Sequence, residues 1–229
     1  MDEPSAPENP GDLDALVRRV DPDRWISSRF IADPRARADV IALYAFDHEL
    51  ARAPKVASNP LIGEIRLTWW REVLDEVFEH RPVRRHPTAE ALADVVRRRG
   101  LERAPLEALI DARYRELDPL PMDEKDALAW ARDTGGLAAE IAAGILAPGE
   151  ETGAARAAGT AWSLARRAAE APALKPVADR AFAAARTAVK GLKPEAFPAA
   201  AHAALAGQGA GSELAKRLKV TFAVARGRI

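Results

Sequence analysis

The chain has 229 residues, 48 % hydrophobic and 30 % charged, with no cysteine and a formal net charge of zero. This is a globular composition, long enough to bury a sizeable core in one domain or two small ones, and it excludes disulfides, thiolate metal sites and a cysteine nucleophile. Charge is uneven: residues 151–229 carry 13 Lys/Arg against 5 Asp/Glu, and residues 1–150 carry 21 against 29, so the basic C-terminal third either faces an acidic partner, anionic lipid or diphosphate, or simply solvates helix faces.

Residues 1–11 are acidic and rich in Pro and Gly. They lack the basic and apolar regions of a signal peptide and are expected to be disordered, with one helical domain over 12–229. From Asp12, the stripe Leu13, Leu16, Val17 and Val20 predicts a helix that Asp21-Pro22 stops. A short segment follows over Trp25 to Ile31. Asp33-Pro34 opens the next helix, through Ile41, Tyr44, Ala45 and Phe46 to Ala53, with Pro54 as its end. Asn59-Pro60 opens another by the same device, with Ile62, Ile65, Trp69, Val73 and Val77 as its core face. On the same helix Glu72, Asp75, Glu76 and Glu79 read as a solvated acidic edge.

Pro82 to Pro87 lead into a helix with Leu92, Val95 and Val96, ended by Gly100. Arg97, Arg98 and Arg99 suit the negative end of its dipole. Leu106, Leu109, Ile110, Tyr114 and Leu117 mark the next, where Asp111 and Arg115 are spaced as an i,i+4 ion pair. Asp123 caps a long segment to Leu146, in which Gly135-Gly136 predicts a break or a close helix approach. Beyond Gly149 the sequence is Ala-rich to residue 206. A Gly-rich gap, Gly207 to Gly211, then precedes a basic helix through Leu214, Leu218 and Phe222. No strand alternation, phosphate-binding glycine loop or fixed-period repeat interrupts this all-α pattern. The arginine runs lack interleaved aromatics, so no nucleic-acid partner is expected. The histidines His48, His80, His86 and His202 share no i,i+4 spacing, which argues against a histidine metal site. No apolar run approaches the ~20 residues of a membrane span, so the expected location is the cytoplasm.

Several segments, in order, resemble the squalene/phytoene synthase family. They are "SSRFI" and "PRARADVIALYAF" over residues 27–46, "TWWREVLDEVF", "HPTAEALADVV", "LIDARYRELD", and more weakly "LAWARDTGGLAAEIAAGIL" and "GTAWSLARRA". The resemblance spans about residues 15–170 and implies a single-domain, all-α isoprenoid-synthase-like bundle around a central cavity. In that family, aspartates on two facing helices hold Mg²⁺, which draws a diphosphate off a prenyl chain.

Here the first aspartate motif falls on "ELARAPK", with Ala51 and Lys55 at its outer positions. The second falls on Glu170 and Leu174, with Ser163 and Arg166 just upstream, and the chain is short for the family beyond this point. An ammonium at Lys55 repels Mg²⁺, so no metal and no catalytic residue is expected. Asp47 and Glu49 sit two residues apart, point about 200° apart on a helix, and cannot share a metal; they are read as surface pairs. Adjacent Trp69 and Trp70 cannot both face one way, so at least one is core or interface.

"DHELA" at Asp47 to Ala51 and the Ile-Gly-x-x-Arg-x-x-x-Trp element from Ile62 are similar to an aspartate-poor branch of the family that assists assembly of respiratory complex I. That resemblance implies a scaffold that docks a respiratory-complex subunit, peripheral at the inner membrane, with a cavity for a lipid or prenyl chain. The residues expected to line the cavity or meet the partner are Arg29, Tyr44, Asp47, Glu49, Arg66, Trp69, Trp70 and Arg166. The alternative is an active head-to-head prenyltransferase acting on farnesyl or geranylgeranyl diphosphate through an atypical Mg²⁺ site.

Overall fold

The helix starts follow from short polar side chains at the caps. Asp12, Asp21, Asp33, Asn59, Asp123 and Ser212 each accept a bond from a backbone N–H of the turn that follows, satisfying donors with no partner inside the helix. The computed structural model describes residues 12–57, 59–206 and 211–229. The expected disorder of residues 1–11 lies outside them.

The helices are α1 (Leu13–Val20), α2 (Pro22–Ser28), α3 (Pro34–Lys55), α4 (Pro60–Phe78), α5 (Pro87–Arg99), α6 (Arg103–Arg113), α7 (Glu124–Ala131), α8 (Leu137–Leu146), α9 (Gly153–Glu170), α10 (Lys175–Ala188) and α11 (Glu213–Arg226). No strand is present among the described residues. Helix α3 is the axis of the core. Val40, Leu43, Tyr44, Phe46 and Leu50 are buried on it, and it packs on α1, α4, α5, α6 and α8. Every residue from Asp39 to Asp47 is buried, so the middle of this helix is enclosed on all sides, which places it at the centre of the bundle. A smaller cluster of Ala127, Ala131, Leu164, Leu174, Val177 and Ala178 joins α7, α9 and α10.

The break expected at Gly135-Gly136 is a π-turn, Arg132–Gly136, between α7 and α8. Helix α9 crosses it so closely that a Cβ on Gly159 would lie 2.1 Å from the Gly135 carbonyl oxygen. Glycine is required here by contact between two backbones.

Several expectations are corrected. Pro54 does not end α3, which runs on to Lys55. In the last turn its ring removes one hydrogen bond from a ladder that is already ending. Ile65 is 59 % exposed and leaves the core face of α4 to Leu67, Trp70, Val73, Leu74 and Val77. The Ala-rich stretch is not helical throughout. Residues 189–205 include three short 3₁₀ turns, at Val189–Gly191, Phe197–Ala199 and Ala201–Leu205, because Pro194, Pro198 and Gly191 interrupt the helix ladder.

The charges also pair differently. Asp111 pairs with Arg71 and Arg115 with Asp126, not with each other. Arg98 and Arg99 both reach the buried Asp39, each at 2.6 Å, so they join α5 to α3. The acidic edge of α4 is only partly solvated, since Glu76 is buried and takes Arg84 at 2.6 Å.

Candidate functional site

Asp21 ends α1 and begins α2, and its carboxylate accepts from the Arg24 backbone N–H at 3.2 Å. This tight corner turns the Arg24 side chain inward, where its guanidinium lies between the rings of Tyr44 (4.8 Å) and Trp162 (5.0 Å). Its Nε donates to Asp21 and its Nη2 to Asp47 Oδ2 at 2.7 Å. From the far end of α6, Arg113 Nη2 donates to Asp47 Oδ1 at 2.6 Å, and its Nη1 to Glu116 at 2.7 Å. Trp130 Nε1 also donates to Glu116, at 3.0 Å. Asp47 is therefore not the surface residue expected from its spacing to Glu49. It is buried and holds α2 and α6 onto α3.

These groups floor a central cleft of about 150 Å³. Val20, His48, Ala51, Lys55, Thr134, Gly135, Ser163 and Arg166 complete its lining. Arg166 sits over the Trp162 ring at 4.8 Å and 3.8 Å from Asp23. Asp23 also takes Lys216 of α11 at 2.8 Å and Trp162 Nε1 at 3.3 Å.

Burial alone would raise the Asp47 carboxyl. The guanidiniums of Arg113 and Arg24 outweigh that and hold it at about 2. Burial opposes the charged form of Arg24 and Arg113 too, and the carboxylates around them reverse it, raising both. Burial raises the Tyr44 hydroxyl, which has no hydrogen-bond partner. His202, edge-on to Trp162 at 5.1 Å, has neither ring nitrogen bonded. Its burial, helped by Arg24, pushes it down to about 3, and it is neutral.

A hard cation such as Mg²⁺ needs several oxygen ligands free to converge on it. The cleft's carboxylates, Asp21, Asp47 and Glu116, are each taken up by Arg24 or Arg113. Lys55 and Arg166 add positive charge at its mouth. Of the second motif, Glu170 is exposed and pairs with Arg167 at 2.9 Å, while Leu174 is buried in the small cluster; neither lines this cleft. Among the described residues, no three His, Cys, Asp or Glu side chains are grouped to hold a metal. The donor set does not fit Mg²⁺.

The remaining sequence candidates separate. Glu49, Arg66, Trp69 and Trp70 meet in a groove of about 330 Å³ between α3 and α4, with Arg52, Ala53, Ile65 and His86. Trp70 is the core member, edge-on to Phe46 at 5.3 Å, and Trp69 is the half-buried one. Tyr44 lies beneath the central cleft. Arg29 is in neither place: it pairs with Asp14 at 2.5 Å and covers Trp25. Sequence reasoning missed Arg24, Arg113, Glu116 and Trp162. Only the Asp21-Pro22 corner hinted at the first of them.

The chain matches the family model for squalene/phytoene synthases over residues 17–173. It belongs to that family. A bovine protein, NADH dehydrogenase (ubiquinone) complex I, assembly factor 6, is 31 % identical over 103 residues, which are 45 % of this chain and 30 % of the relative. The match thus spans less than a third of that relative's length. Among solved structures, a dehydrosqualene synthase in complex with ligand superposes with a TM-score of 0.72 at 12 % identity, covering 93 % of this chain and 95 % of the other. Squalene synthase HpnC from Alicyclobacillus acidocaldarius gives 0.66 at 15 % identity, covering 94 % and 92 %. These likenesses establish the all-α isoprenoid-synthase fold.

Proposed function

We propose that this family member is a non-catalytic scaffold that assists assembly of a respiratory NADH dehydrogenase. The carrying observation is the central cleft, where Ala51 and Lys55 stand at the first metal positions and every floor carboxylate is bonded to a buried arginine. Such a cleft neutralises its own carboxylates and presents cations at its mouth, the reverse of what a metal-assisted departure of diphosphate requires. At about 150 Å³ it is also smaller than the ~300–1,000 Å³ of ordinary small-molecule sites. Partner contact is therefore assigned to the outside of the bundle, at the α3–α4 groove with its half-buried Trp69 and its cations Arg52 and Arg66. The relatives named as complex I assembly factors support the class of partner.

Labelled farnesyl and geranylgeranyl diphosphate, supplied with Mg²⁺, test the chemical half of this reading. No release of diphosphate is expected; turnover that a chelator abolishes would overturn it. Gene deletion in the source organism tests the other half. Assembled NADH dehydrogenase should fall and be restored by the wild-type chain, but only weakly by Arg66→Glu/Trp69→Ala. Normal assembly in the deletion strain rejects the scaffold role.

A further inference from the structure

Helix α11 lies against the 3₁₀ turn at Ala201–Leu205 and against α2. It buries Val220 and Ala223 and ties Lys216 to Asp23. Its large apolar residues are on the other side: Leu214, Leu218 and Phe222 are 68 %, 51 % and 57 % exposed. Recurring every four residues, they fall within an arc of about 80°, at about 100° per residue. The same geometry puts Ala225 inside this arc, Arg217 on one flank, and Lys219 and Arg226 on the other. Thr221, at the edge of the arc, donates its hydroxyl to the Arg217 carbonyl at 2.8 Å, so it does not need water. The only acid on the helix, Glu213, is paired with Arg217.

One residue beyond the Gly227 cap, Arg228 joins Arg186, Lys190, Ala183, Thr187 and Ile229 around a depression of about 290 Å³. Three cationic side chains and no Asp or Glu side chain line it. Of the cations on α10 and α11, Lys175, Arg180, Lys216 and Arg217 have carboxylate partners. Arg186, Lys190, Lys219, Arg226 and Arg228 have no salt-bridge partner among the described residues.

We propose that this face docks on an anionic lipid surface. Leu214, Leu218 and Phe222 enter the boundary between headgroups and acyl chains, and the basic depression at Arg186, Lys190 and Arg228 takes a lipid phosphate. An apolar stripe flanked by cations is the pattern of helices that lie in a membrane interface. Long basic side chains reach up to the headgroups while the stripe between them is buried. The one-sided charge favours an anionic bilayer over a neutral one. It also disfavours a second copy of this face, which would bring like charges together. This inference goes beyond the scaffold reading and does not depend on it.

The test is flotation of the purified chain with phosphatidylcholine vesicles, with and without phosphatidylglycerol, in low and high salt. Binding to the anionic vesicles alone is expected, weakening in high salt. Leu218→Ser/Phe222→Ser should reduce it at least about 10-fold, and Arg186→Ala/Lys190→Ala by roughly 5-fold per cation removed. All four side chains are outside the core, and circular dichroism of each variant checks that its fold is kept. The proposal is overturned by absence of binding, by equal binding to neutral vesicles, or by variants that bind like wild type. If the double apolar variant instead turns a dimer into a monomer in sedimentation, the stripe belongs to a second copy and the lipid assignment is wrong. The assay contains neither diphosphate nor a respiratory subunit, so a negative result leaves the scaffold reading standing.

Discussion

Asp47 answers to two arginines that reach it from elements far apart in the chain. With its folded value at about 2 against ~3.9 in the unfolded chain, it stays ionised where the unfolded chain takes up a proton. Its contribution to stability is complete above about pH 4 and is lost as pH falls towards 2. Asp47→Asn leaves Arg24 and Arg113 buried with one carboxylate fewer, and should cost ~3–5 kcal/mol in urea denaturation at neutral pH. His202 acts over a different window. It is held neutral, with its folded value near 3 against ~6.5 unfolded, so between these values the unfolded state binds the extra proton. Stability therefore climbs with pH from about 3 to 6.5 on this account. Because neither of its nitrogens is bonded, His202→Leu forfeits no hydrogen bond. It should hold or raise stability at pH 7 and flatten that slope, read from denaturation midpoints at pH 4.5 and 6.5.

The crossing of α9 over the π-turn admits a matched pair of substitutions. Gly159→Ala drives a methyl against the Gly135 backbone and Ala139. Neither can swing away, so a loss of ~1–3 kcal/mol or more is expected. Gly144→Ala, in α8, meets nothing within 4 Å and should gain up to ~1 kcal/mol from helix propensity. Chemical denaturation of both variants measures the difference; equal midpoints would mean that the two helices are not in backbone contact. The Gly135-Gly136 break is legible in sequence because glycine inside a helical pattern has few reasons to be there. The starts at Asp33, Asn59 and Asp123 are legible for a similar reason, since a cap is a local bond between near neighbours. The ion network is not legible. Arg24 and Asp47 are 23 positions apart and Asp47 and Arg113 are 66 apart, and no helical period relates them. Charge spacing alone placed Asp47 on the surface, where burial and pairing had already put it inside.

Helix α11 is fastened to the bundle by few groups: Lys216 on Asp23, with Val220 and Ala223 beneath. An element with so little buried apolar area opens at a low free energy compared with the core. Hydrogen exchange should therefore be faster in α11 than in α3. Lys216→Ala should speed α11 further and leave α3 unchanged; equal protection of the two helices would contradict this. Order in the bundle as a whole can be followed without any added label. The indoles of Trp69 and Trp70 stand 4.9 Å apart and nearly perpendicular, at 89°. Chromophores so close couple their excited states, and a fixed crossed arrangement gives that coupling a handedness. Circular dichroism of the native chain should thus carry a paired aromatic band from this dyad, separable from the helical signal and abolished by Trp69→Phe. The protein holds its own optical gauge of the α3–α4 groove, which reports any movement of Trp69.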